Sequence, residues 1–166
     1  MDLDSPRSAQ VQLQEVITKN PETIRPDDSI REATMLMRDC RIGFLPVIDD
    51  GKVLGVVTDR DIVIRAIASG FDPQTTTVRH VMTTNPVQLK ANDTFEKALE
   101  IMAANAINRL IVTDKNGKLL GVLTAGDAAA ACKGDSRAAK LAVAIHKRAK
   151  RLPSPKPPHD AQYVSE

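Results

Sequence analysis

A chain of 166 residues, 42% apolar and 27% charged, can form one compact domain or two very small ones that share a core, and its composition is that of an ordinary globular protein. Aromatic residues are limited to Phe44, Phe71, Phe95 and Tyr163, so aliphatic side chains must fill the core, and no apolar run reaches the length of a membrane span. The net charge of +2 hides an asymmetry: residues 1–132 carry 15 Lys/Arg against 18 Asp/Glu, a net −3, whereas residues 133–166 carry 8 against 3, a net +5.

The N-terminus, MDLDSPRSAQ, is acidic and polar and has no signal-peptide core, which predicts a cytoplasmic protein. An internal repeat organises most of the remaining chain. Residues 20–49 align with 85–114, and residues 51–61 with 117–127. Sixteen of these 41 positions are identical, including Asn20-Pro21 with Asn85-Pro86 and Met37 with Met102. Random pairing would give about two or three.

Each copy predicts the same elements in order. A short strand (Thr23–Arg25, Gln88–Lys90) leads to a helix, with capping-box spacing at Ser29 and Glu32 in copy one and at Asp93 and Glu96 in copy two. Ile30, Ala33 and Met37, and Phe95, Ala98 and Met102, mark the apolar face of that helix. A hairpin follows, with strands Leu45–Ile48 and Val53–Val57 in one copy and Leu110–Thr113 and Leu119–Leu123 in the other. A second helix begins near Asp59 and near Ala125, and Gly70 is placed to stop the first of these. The fold class expected is therefore α/β (α+β): two tandem β-α-β-β-α units, residues 11–70 and 82–133, packed about a pseudo-two-fold axis. Residues 71–81 read as a connector.

Beyond the repeats, residues 134–151 read as a basic helix capped by Asp135 or Ser136. Its stripe is Ala138, Leu141, Ala142, Ile145 and Ala149, flanked by Arg137, Lys140, Lys147, Arg148, Lys150 and Arg151. Packing on the module or on a dimer partner is the favoured reading. The Ala-rich stripe argues against a membrane surface, and the lack of stacking aromatics argues against nucleic acid. Residues 152–166 are Pro-rich and polar and read as a disordered tail.

In both copies the second strand enters the second helix through G-h-x-T-x-x-D: Gly55, Thr58 and Asp61, then Gly121, Thr124 and Asp127. Backbone N–H groups at such a junction suit phosphate, the Thr hydroxyl adds a donor, and the Asp carboxylate can accept both hydroxyls of a ribose cis-diol. A plain helix cap is the competing reading, because Thr and Asp are both common at N-caps. The occurrence of the same motif at symmetric positions favours a ligand.

Both copies resemble the cystathionine β-synthase (CBS) domain, and the pair resembles a Bateman module; the likeness spans roughly residues 11–132 and includes the stretch TDRDIVIRAIASGFDP. The resemblance implies two clefts for adenosine-containing ligands: AMP, ADP or ATP, or alternatively NADH or S-adenosylmethionine. It implies that Thr18, Glu22, Ile42, Gly43 and Phe44 complete the cleft of Thr124 and Asp127. Arg109 resembles a phosphate-binding Arg of the family, although a surface Arg paired with an acid would look the same. The cleft of Thr58 and Asp61 would use Thr83, Val87, Ile107 and Asn108. Phe44 stands there in place of Arg109, and Arg60 replaces Gly126.

No nucleophile or acid–base pair is evident, so no enzyme is expected. Cys40, Cys132, His80, His146 and His159 lack metal-ligand spacing; magnesium would arrive only with a nucleotide. Apolar residues on several faces of the second helices (Ile62, Val63, Ile64, Ala66 and Ile67; Ala128 to Ala131) predict a homodimer. The function expected is regulatory, acting on a separate partner protein. The alternatives are a ligand-independent dimeric scaffold or stress protein, or a nucleic-acid binder using the basic helix.

Overall fold

The computed structural model describes residues 11–132 and 136–149; the N-terminal segment, Asp135 and the Pro-rich tail lie outside them. In chain order the elements are α1 (Leu13–Val16), β1 (Thr18–Lys19), α2 (Ile30–Cys40), β2 (Phe44–Asp49), β3 (Lys52–Thr58) and α3 (Asp59–Arg65), with a 3-10 turn at Ile67–Ser69. Then come α4 (Val78–Val81), β4 (Thr83–Thr84), β5 (Gln88–Lys90), α5 (Phe95–Asn105), β6 (Arg109–Thr113), β7 (Leu119–Thr124), α6 (Ala125–Ala131) and α7 (Ser136–Ala149). Gly70, at φ 75°, ends the 3-10 turn in the left-handed conformation.

The helices form where an N-cap and an apolar face coincide. Ser29 caps α2 in a reciprocal box with Glu32, and Ile30, Ala33 and Met37 are buried beneath it. In copy two the cap is Thr94, whose hydroxyl accepts from the Lys97 N–H. The expectation of Asp93 as cap is corrected by one position. The Asp93 carboxylate instead pairs with the Lys97 ammonium and accepts from the Lys90 N–H, and those bonds hold its pKa below the ordinary value. Both helices end in a left-handed residue, Arg41 (φ 55°) and Ala106 (φ 54°), which turns the chain into β2 and β6.

The strands form two sheets that cross the boundary between repeats. One runs β1-β7-β6-β5, with β5 parallel to β6 and the other pairs antiparallel; the second is the antiparallel β2-β3-β4. The strand expected at Thr23–Arg25 is reduced to a single parallel bridge between Ile24 and Val47. Two prolines supply the reason: Pro46 stands where copy two has Ile111, and Pro26 where it has Ala91, whose N–H bonds the Thr113 C=O; neither proline has an N–H to extend the ladder.

Each repeat's sheet thus takes its edge strand from the segment that precedes the other repeat, and the cores follow the same exchange. Leu13 and Ile17 are buried with Leu89, Phe95, Met102, Leu110, Val112, Leu123 and Ala128 of the second repeat. Val78, Val81 and Met82 are buried with Ile24, Ile30, Met37, Leu45, Val47, Val57 and Ile62 of the first. Residues 71–81 therefore do more than connect. Their backbone is also stitched to the first repeat, through Ile30 N–H to Thr76 C=O and Val78 N–H to Asp28 C=O.

Positions equated by the repeat also meet each other. The Arg109 guanidinium lies over the Phe44 ring, 5.7 Å from its centroid, and Lys52 forms a backbone bridge with Lys118. An antiparallel bridge between equivalent residues lies on a two-fold axis, here an internal pseudo-two-fold, and the Arg109–Phe44 contact falls on the same axis. Helix α7 packs on α5 and α6, with Leu141 buried in the second core and Arg137 paired to Glu96 at 3.1 Å. Of the expected stripe, Ala142 is exposed, while the side chains of Ala138, Ile145 and Ala149 lie outside the described ones.

Leu13 lies ahead of the aligned stretch of the first repeat, which begins at residue 20, yet inside the second core. Leu13→Ala should therefore destabilise the chain by about 2–5 kcal/mol, as for other buried leucines. Urea denaturation followed by circular dichroism measures this, and a loss under about 1 kcal/mol would mean that α1 is not part of that core.

Candidate functional site

The two strand–helix junctions place Thr58 at the N-cap of α3 and Thr124 at the N-cap of α6. In each, the Thr hydroxyl accepts from the Asp N–H three residues on, at 3.1 Å for Asp61 and 3.0 Å for Asp127. It donates back to one oxygen of the same Asp, at 2.7 Å and 2.6 Å respectively. The helix-cap reading is therefore correct as far as it goes. It leaves the second carboxylate oxygen, and there the two copies part.

In the first copy Asp61 is heavily engaged. Its Oδ2 accepts from both the Thr58 hydroxyl and the Thr58 N–H, and its Oδ1 lies 3.3 Å from Nη2 of Arg65. In the second copy Asp127 Oδ1 accepts no hydrogen bond among the described residues. The residue equivalent to Arg65 is Ala131, which has nothing to offer it.

Around Asp127 the structure gathers Thr18, Arg109 and Thr124. Thr18 pairs with Val122 on one side of β7, and Arg109 pairs with Thr124 on the other. Phe44 joins them through its stack on Arg109, an arrangement that holds a cation by the ring's negative face. Arg109 is exposed and bonds to no carboxylate among the described residues. Its donors are thus available to an anion, and the reading of a surface Arg paired with an acid is not realised. Asn108 is exposed, and its C=O accepts from the Ala125 N–H at the start of α6. Its counterpart Gly43 does the same for Asp59 in the first copy. A Cβ at Gly43 would come within 2.5 Å of Asp59 Oδ2, the end of an exposed side chain that can swing aside, and Asn108 makes the equivalent contact with a Cβ in place.

Around Asp61 stand Thr58, Phe44 opposite it on β2, and Thr83, which pairs with Val56 of β3. The Thr83 hydroxyl accepts from Arg65 at 3.2 Å. Arg60 is exposed on the first turn of α3. Ile42 and Ile107 are half-buried, each against its own repeat's core rather than the other's. Glu22 and Val87 are exposed, and no described hydrogen bond or ion pair ties either to a Thr–Asp pair. Arg65 is the residue that sequence reasoning passes over. Its signal is a cation four residues after Asp61 where the other copy has alanine.

Elsewhere, a cavity of about 820 Å³ opens between residues 23–28 and 48–51. Asp27, Asp28, Asp49 and Asp50 line it, a setting that repels an anionic ligand. Among the described residues no group of three or more His, Cys, Asp or Glu could hold a metal ion, and no helix is long and apolar enough to cross a membrane. Cys40 is exposed and Cys132 buried.

Known proteins share this architecture. A family model described as the CBS domain matches residues 13–67 and 78–134. The CBS domain-containing protein YhcV of Bacillus subtilis is 38% identical over 117 residues, which span 70% of this chain and 82% of that one. Inosine-5'-monophosphate dehydrogenase of Methanocaldococcus jannaschii is 36% identical over 114 residues, spanning 68% of this chain but only 22% of the dehydrogenase. A crystal structure of CBSX2 in complex with AMP superposes with a TM-score of 0.65 at 28% identity, over 74% of this chain and 96% of that one.

The crossing of β1 over β7 that builds the Asp127 cleft rests on a glycine. A Cβ at Gly121 would lie 2.6 Å from the Thr18 carbonyl oxygen and 2.9 Å from Ile17 Cδ1. Gly121→Ala should therefore cost about 1–3 kcal/mol through forced displacement of β1. Gly126→Ala, whose nearest neighbour would be Thr124 Oγ1 at 3.7 Å, should be neutral or slightly stabilising. Thermal melts of the two variants check this; equal melting temperatures would contradict the close approach.

Proposed function

Because the chain belongs to the CBS-domain family and carries two such domains in tandem, we propose that it is a regulatory module that binds an adenosine-containing ligand and signals its presence to a separate partner protein. The observation that carries this reading is the Asp127 cleft: a carboxylate bonded to the Thr124 hydroxyl through one oxygen and uncommitted at the other, and an Arg that stacks on a ring and makes no ion pair among the described residues. A ribose diol would donate to the uncommitted oxygen of Asp127, and a phosphate would accept from Arg109, and from the Thr124 hydroxyl only if that hydroxyl gave up its bond to Asp127 Oδ2. AMP, ADP and ATP suit such a site. NADH and S-adenosylmethionine share the adenosine half, and magnesium would enter only with a nucleotide's phosphates.

A structural relative crystallised with AMP supports the ligand class. The dehydrogenase relative matches over only 22% of its length, so its chemistry gives no ground for proposing catalysis here. The proposed setting is the cytoplasm, and the proposed assembly is a homodimer through the second helices. Val63 on α3 and Ile67 just beyond it remain 56% and 50% exposed on the single chain, which supports that assembly. Use of α7 for nucleic acid is disfavoured by its docking on the second core through Leu141.

Isothermal titration with AMP, ATP and adenosine tests the reading. Asp127→Ala should weaken any of them by about 1.5–3 kcal/mol, or roughly 10- to 150-fold. Arg109→Ala should weaken AMP and ATP far more than adenosine. No binding of these ligands, NADH or S-adenosylmethionine would overturn the proposal in favour of a ligand-independent scaffold. An equal loss for adenosine and AMP in Arg109→Ala would overturn the phosphate role.

A further inference from the structure

The pseudo-two-fold axis makes the two clefts comparable atom by atom, and Arg65 is the largest difference between them. Its guanidinium spans four acceptors: Val81 C=O at 2.8 Å, Met82 C=O at 3.1 Å, Thr83 Oγ1 at 3.2 Å and Asp61 Oδ1 at 3.3 Å. The first two are carbonyls at the end of α4, which the helix itself cannot satisfy. The third is on the exchanged strand β4, and the fourth is the oxygen that a ribose would need. The Arg65 and Asp61 side chains are only 21% and 15% exposed, so this ion pair is shielded from water on most sides. A planar, multi-donor cation held at four points is costly to displace.

We propose that Arg65 holds the first cleft closed to ribose, so that the chain presents one adenosine site, at Asp127, instead of two. The inference rests on the adenosine reading of the Thr–Asp pair. A carboxylate has about four lone-pair positions. Asp61 gives two on Oδ2 to Thr58, and its Oδ1 is covered by the Arg65 guanidinium at 3.3 Å, whereas Asp127 gives one in all to Thr124 and has no cation on its other oxygen among the described residues. A diol arriving at Asp61 would have to break a charged bond and strand the carbonyls of α4. At Asp127 it meets an uncommitted oxygen, and Ala131 stands in the place of the cation. The duplicated motif is thus kept in both repeats as a cap and put to binding in one.

The test is titration of the full chain with AMP, with stoichiometry as the readout, on wild type, Asp127→Ala, Arg65→Met and Arg65→Met/Asp61→Ala. Methionine keeps much of the stem's volume, and circular dichroism establishes that each variant is folded. Wild type should take one AMP per chain, bound roughly 10- to 150-fold more weakly in Asp127→Ala. Arg65→Met should take two, and the double variant should return to one. Two ligands per wild-type chain, one bound with unchanged affinity in Asp127→Ala, or no second site in folded Arg65→Met would each overturn the inference while leaving adenosine binding intact. If neither wild type nor Arg65→Met binds, the inference and the proposed function fall together. If only Arg65→Met binds, and Asp61→Ala abolishes that binding, the closure by Arg65 stands and the Asp127 site falls.

Discussion

Two short antiparallel pairings, Thr18–Lys19 on β7 and Thr83–Thr84 on β3, hold the molecule together. Either repeat alone has a helix pair and a hairpin with an open sheet edge and an unfilled core. The segment ahead of the other repeat supplies both missing parts, an edge strand and two or three buried aliphatic side chains. The exchange is reciprocal, so neither half can be completed without the other. At this size, sharing a core is what allows so few aromatic residues to suffice.

The same pairings make the clefts. Because β1 lies against β7, Thr18 stands opposite Val122, two residues from Thr124, although more than a hundred residues separate them in sequence. Gly121 and Gly55 mark the two crossings, where an added Cβ would strike the carbonyl of Thr18 or of Thr83. A symmetric scaffold of this kind offers two sites by default. Differentiation then needs few changes: Arg109 opposite Phe44 on the axis, and Ala131 opposite Arg65 beside the two carboxylates. In this chain those changes place the uncommitted carboxylate oxygen and the guanidinium available to an anion in one cleft.

Much of this is legible in the amino-acid order. The repeat gives the element sequence, and the strand–helix junctions fall at Thr58 and Thr124 as the motif implies. The repeated Asn-Pro pairs share one backbone conformation, with left-handed φ of 49° at Asn20 and 47° at Asn85. The partner of a two-residue strand is not legible, because no periodicity exists over two residues, and the exchange is hidden with it. A fainter trace of it exists: Leu13, Val16 and Ile17 match Val78, Val81 and Met82 in spacing. The Thr94 cap differs from the expected one by a single position because Asp93 offers an equally good side chain, which Lys97 claims instead. Pro26 and Pro46 shorten a ladder that local pattern alone extends. Arg65 escapes a reading of the sequence because its four acceptors come from Asp61 and the exchanged segment, which only the tertiary fold brings together.

The central claim is that each Thr–Asp cleft is built from one repeat and the segment ahead of the other's aligned stretch, and that the Asp127 cleft takes the ligand. Amide hydrogen exchange of the full chain, with and without saturating AMP, tests it most directly. Protection should rise together at residues 16–20 and 122–128, which are neighbours only through the β1–β7 pairing. Protection confined to 122–128, with 16–20 exchanging as in the unliganded chain, would contradict the account.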